Sequence, residues 1–181
     1  MIKILFLSAI AFLLFSCNPG IHKKQTMKLN LLLSEVRYLE YDLKTLRTDS
    51  FPFFIQNIKE SVEKINNCKS CTPDQEFHNQ FLIPFNDAGL NFNNSFTTFR
   101  KLIERLRESE KQVSNLKYDI GKGLIAKKEF GNYFSQEKEV IDAIFKDIIS
   151  TRQSYFYNLS LYHRLRPVIN KKLDQITLGK K

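Results

Sequence analysis

The chain has no tryptophan, six glycines and three cysteines among its 181 residues. So few glycines argue against an all-β fold, which would draw on them at many turns. No alternating apolar–polar stretch of useful length occurs, and no internal repeat. HExxH, GxSxG and glycine-rich nucleotide loops are all missing. Gly121-Lys122-Gly123 lacks the spacing of a phosphate-binding loop and follows no strand. His22, His78 and His163 have no partner at zinc-ligand spacing, so neither a metal nor another cofactor is expected. Acidic pairs lie only on charged helical faces, which leaves an enzyme without positive support. The longest apolar run, Ile4 to Phe15 broken by Ser8, is 12 residues and too short to cross a bilayer, which takes roughly 20.

That run, preceded by Lys3, has the form of a secretory h-region. It ends at Leu14-Phe15-Ser16-Cys17, with a leucine three before the cysteine and a small residue directly before it. This resembles the lipobox of bacterial lipoproteins. The resemblance covers only the leader and implies cleavage before Cys17, acylation of its thiol and a palmitate-bearing anchor. Several acyl chains together hold a protein stably to a membrane, where one does so only marginally. Asn18 after the cysteine, rather than Asp, points to the outer membrane, on its periplasmic or surface face. The expected organisation is a signal peptide over 1–16, a tether over 17–26 and one domain over 27–181. Pro19 and Gly20 break regular structure in the tether, and His22, Lys23, Lys24 and Lys28 would lie near headgroups.

Loss of residues 1–16 removes one charged side chain, Lys3, leaving 27 basic residues against 19 acidic ones. The surplus clusters at Arg164, Arg166, Lys171 and Lys172, which makes these the candidate contact for an anionic or protein partner. Outside the cytoplasm nucleic acid is not expected as that partner.

Beyond the tether the apolar residues repeat as in helices. Leu29, Leu32, Val36, Leu39, Leu43 and Leu46 keep 3-4 spacing and predict a helix over 27–48, with Leu31, Leu33, Tyr38 and Tyr41 widening its covered face. Phe51, Ile55, Ile58, Val62 and Ile65 predict a second over 51–66, folded back on the first because the connection is short. Thr72, Pro73 and Gln75 form a capping-box start for a short helix carrying Phe77 and Phe81, which Pro84 interrupts before a bend over 85–90. A third long helix runs from about 90 to Gly121, read as its left-handed cap, with Gly123 loosening the turn. After a connector to 132 comes a fourth, lined by Ile141, Ile144, Phe145, Ile148, Tyr155, Leu159 and Tyr162, which Pro167 kinks or ends. The fold class expected is all-α, an up-and-down bundle of about four main helices.

Cys68-Lys-Ser-Cys71 is the sharpest constellation in the domain. In an oxidising compartment it reads first as a structural disulfide closing a tight loop. A redox dithiol at a helix start and a metal site are the alternatives. Function is therefore expected to be that of a non-catalytic envelope lipoprotein presenting a bundle to another macromolecule. A thiol–disulfide protein and an envelope scaffold or assembly factor are the alternatives.

Overall fold

A computed structural model describes residues 19–68 and 73–178. The leader, Cys17, Asn18, Cys71, Thr72 and the final Gly-Lys-Lys lie outside the described residues. Among those described there is helix and no strand, and the chain is an all-α helical bundle. Its elements are α1 Pro19–Lys44, α2 Ser50–Asn66, a single turn α3 Gln75–Phe77, a π-turn His78–Leu82, α4 Ile83–Gly121 and α5 Phe130–Leu178.

α1 begins at Pro19, so the stretch expected to be a tether is helical from that residue onward. Proline suits a first helical turn, whose N–H would have no partner in any case. At 1.5 Å per residue the stretch reaches less than half as far as an extended tether would.

The chain forms two compact units, and α1, α4 and α5 contribute to both. Of the described residues the first unit holds 19–38 and 107–142. Its core is made of Leu29, Leu32, Leu33 and Val36 from α1, Val113, Leu116 and Ile120 from α4, and Phe130 and Ile141 from α5. Glu110 leaves the apolar seam of α4 because it turns outward to Arg37, Oε1 to Nε 2.7 Å; Ser109 is buried in its place. Lys138 bridges Glu35 at 3.1 Å and Asp142 at 2.5 Å, and this pairing, led by the bond to Asp142, raises its pKa.

α4 closes with a Schellman motif. Leu124 N–H donates to Asp119 O and Gly123 N–H to Ile120 O, at 2.9 and 3.1 Å. The left-handed residue is Gly123, φ +70°, and not Gly121 as the sequence suggested. Gly121 is the last helical residue.

The second unit spans Leu39–Leu106 and Ala143–Lys181, and inside it the direction of each helix follows from its cross-links. Asp42, Ser50 and Asn57 meet Arg152, Tyr155 and Tyr162 in turn. The end of α1 and the whole of α2 therefore run the same way along α5. The short connection over 45–49 does not fold the chain back, contrary to the hairpin its length predicts. The reason is local: Leu46 is buried at 3% exposure, and bonds such as Leu46 N–H to Leu43 O and Ser50 N–H to Arg47 O carry the chain from one helix into the next. α4 supplies the reversal. Asn91 meets Asn158, Ser95 meets Ser154, and Arg105 meets Asp147, so α4 is antiparallel to α5.

Two prolines behave differently from expectation. Pro84 interrupts nothing: it sits in the first turn of α4, directly after a π-turn whose i→i+5 bonding absorbs the missing amide donor. The predicted bend over 85–90 is helical, with Phe85 and Ala88 fully buried. Pro167 lies inside α5, which continues to Leu178. Burial of Leu165, Ile169 and Ile176 on either side outweighs the roughly 3 kcal/mol that an interior proline costs. The short helix is capped by Asp74, whose Oδ1 accepts from Phe77 N–H at 2.7 Å; the capping role given to Thr72 falls outside the described residues.

Candidate interaction site

The four cations of the predicted patch stand on the last turns of α5, and they are not alike. Arg164 and Lys171 are exposed. Arg166 is held: its guanidinium lies 5.2 Å from the Tyr162 ring centroid and 5.9 Å from that of Phe53, and it donates to Tyr162 Oη. Lys172 Nζ lies 5.4 Å over Phe77. Cations over ring faces gain a few tenths to about 2 kcal/mol. Two of the four charges thus serve the fold, and the surface open to an anionic partner is smaller than the sequence count implied.

Beneath them is an aromatic cluster that periodicity only partly foretold. α2 buries Phe51 and Phe54 rather than Phe51 and Ile55. Phe54 stacks on Phe92 at 5.0 Å, Phe85 on Tyr162 at 5.7 Å, and Phe54 meets Tyr162 edge-on at 4.9 Å. Such pairs contribute about 0.5–1.5 kcal/mol each beyond the area they bury. Tyr162, with no exposed surface, donates to Asn57 Oδ1 at 2.9 Å. Burial raises its pKa, and the neighbouring Arg166 charge partly opposes that. The polar partner at 57 was not legible, because an asparagine on a helix is usually a surface residue. His163 is exposed, and it stands inside α5, which continues past it to Leu178.

Cys68 is buried at 4% exposure just past α2, where its N–H donates to Ile65 O at 3.3 Å. It lines a cleft of about 320 Å³ with Asn66, Pro73, Gln75 and His78. Cys71 is outside the described residues, so the predicted pairing of the two sulfurs is not placed. Among the described residues no three His, Cys, Asp or Glu side chains gather as a metal would require. No described helix is long and apolar enough to cross a membrane.

Three further features escaped the sequence reading. Leu31, Tyr38 and Tyr41 were expected to widen the covered face of the first helix; they are exposed at 66, 65 and 72%. Each lies two residues after a core position (Leu29, Val36 and Leu39), a rotation of about 200° that places it on the opposite side of the helix. Gly89 is a packing glycine rather than a bend, as a Cβ there would meet Ile58 Cγ2 at 2.8 Å. Glu137 occupies the seam of α5 between Phe130 and Ile141, and its Oε2 is buried with no hydrogen-bond partner among the described residues. Desolvation raises its pKa. Comparison with protein-family models, curated proteins and solved structures gives no match.

Proposed function

We propose that the chain is an envelope lipoprotein, held through acylated Cys17, that presents its helical bundle to another macromolecule and carries out no catalysis of its own. The observation that carries this reading is the leader: a 12-residue apolar run ending at Leu14-Phe15-Ser16-Cys17. The outer membrane is the favoured location, on the strength of Asn18 after the cysteine. Exposed Arg164 and Lys171 are the first residues to vary in seeking an anionic or protein partner.

Metabolic labelling with palmitate tests the anchor. The wild-type chain takes up label, begins at Cys17 and stays with the membrane fraction, while Cys17→Ser does none of these. A native protein that still begins at Met1, or a Cys17→Ser chain processed and attached as before, overturns the proposal. Protease treatment of intact cells then tells a surface face from a periplasmic one.

Cys68 and Cys71 fit a structural bridge better than a working dithiol. Cys68 is almost wholly buried, whereas an exchanging sulfur must be reached by its partner's thiolate. A reduction potential below about −300 mV marks a structural bridge, and a distinctly higher one favours the redox alternative.

A further inference from the structure

The side of α1 turned away from the core carries Met27, Leu31, Ser34 and Tyr38 at 4-3-4 spacing, which aligns them along one stripe. Met27, Leu31 and Tyr38 are 59, 66 and 65% exposed. The core side of the same turns buries Leu29, Leu32, Leu33 and Val36. A helix in a bundle ordinarily turns polar residues outward, and this one turns apolar ones. Exposed Lys23, Lys24 and Lys28 flank the stripe. No aspartate or glutamate precedes Glu35, so three lysines stand in the first turns with no acidic residue among them. Lys28 Nζ lies 5.7 Å over the Phe134 ring, yet the residue stays exposed where Arg166 and Lys172 are half-buried.

We infer that this face of α1 lies on an anionic phospholipid surface, with Met27 and Leu31 entering the headgroup–acyl boundary and Lys23, Lys24 and Lys28 meeting lipid phosphates. An apolar strip edged with lysine has the chemistry of an interfacial helix. The inference rests on the lipid-anchor reading for its geometry. Cys17 is two residues from the first residue of α1, so an acylated Cys17 would bring the helix start to the bilayer and hold the stripe within reach of it. Anionic lipid attracts basic side chains near its surface, and the attraction fades within a Debye length, so contact of this kind is sensitive to salt.

The lack of tryptophan supplies the experiment. The full chain carrying Leu31→Trp is produced in a lipidating bacterial host and reconstituted into vesicles of phosphatidylcholine with phosphatidylglycerol, some bearing brominated acyl chains. The expected result is emission shifted to shorter wavelength and quenched by the brominated lipid, with the quenching weakened in pure phosphatidylcholine, at high salt, or when Lys23, Lys24 and Lys28 are changed to Ser. Protein that floats with the vesicles while its tryptophan stays unquenched overturns the inference and leaves the anchor standing. A shift that grows with protein concentration but is not quenched means a second copy covers the stripe, and it too overturns the inference. Protein that does not float defeats both readings, whereas quenching without acyl chains on Cys17 defeats the anchor alone.

Discussion

Gly89 of α4 and Ile58 of α2 touch where any larger residue at 89 would collide: a Cβ there stands 2.8 Å from Ile58 Cγ2. Glycine inside a helix costs up to about 1 kcal/mol against alanine, so its place in α4 is set by this contact. Gly89→Ala gains that propensity and meets an overpacking penalty of about 1–3 kcal/mol, with a net loss of stability expected. With Ile58→Ala as background the obstruction is gone, and the same substitution becomes neutral or stabilising. Urea unfolding of the four chains of this double-mutant cycle, followed by circular dichroism, reads the reversal of sign directly.

Gly121 and Gly123 form a second pair with opposite expectations. A Cβ at 121 meets nothing within 4 Å and the residue is helical, so Gly121→Ala stabilises by up to about 1 kcal/mol. Gly123 holds φ +70° at the centre of the Schellman motif, and Gly123→Ala destabilises by roughly 1–2 kcal/mol. Thermal melts of the two variants move in opposite directions.

Glu137 makes the fold more stable in mild acid than its other carboxylates would suggest. Its folded pKa is raised by desolvation. A carboxyl raised on folding holds its proton more tightly folded than unfolded, so its contribution favours the fold at low pH. That contribution is lost as pH rises through the raised pKa, leaving a charged and poorly solvated oxygen at neutrality. Glu137→Leu therefore raises stability at pH 7 by about 1 kcal/mol, with less gain near pH 4. Glu137→Gln removes the pH dependence without filling the seam. Denaturant midpoints taken across pH 4–8, a span set by the usual range of carboxylates, check the sign.

Tyr162→Phe keeps the aromatic packing and removes one hydroxyl. It strips Asn57 Oδ1 of its donor and costs about 1 kcal/mol at neutral pH. The phenol pKa is raised by burial, so the wild-type residue favours the fold below its ordinary value near 10 and loses that contribution as pH climbs through the raised one. The stability difference between wild type and Tyr162→Phe consequently shrinks in alkaline titration of the unfolding midpoint.

The helices were legible because leucine and isoleucine recur at helical spacing, and the buried Leu29, Leu32, Val36, Leu39, Leu43 and Leu46 are the seam that spacing picks out. Breakers were misjudged because their effect depends on tertiary surroundings. Pro84, Gly89 and Pro167 all lie within helices, the first eased by a π-turn, the second required by Ile58, the third outweighed by its buried neighbours. Chain direction at 45–49 was misread because loop length says how far two helices can part and nothing of the angle between them. In the candidate site the basic cluster was visible as charge. What divided it was the position of Phe53, Phe77 and Tyr162, set by helix rotation that composition does not encode. The outward stripe of Met27, Leu31 and Tyr38 was visible as apolar residues too, but one chain's periodicity cannot say which of two apolar sides meets the core.

The ties of Asn57 to Tyr162, Asp42 to Arg152 and Glu35 to Lys138 join residues 105, 110 and 103 positions apart. α2 can close early on α4, through Phe54 with Phe92 and Ile58 with Gly89, but the polar ties must wait more than a hundred residues. Assembly is therefore completed only once α5 has emerged, and a nascent chain stopped before about residue 140 leaves Asp42 and Asn57 without their counterparts.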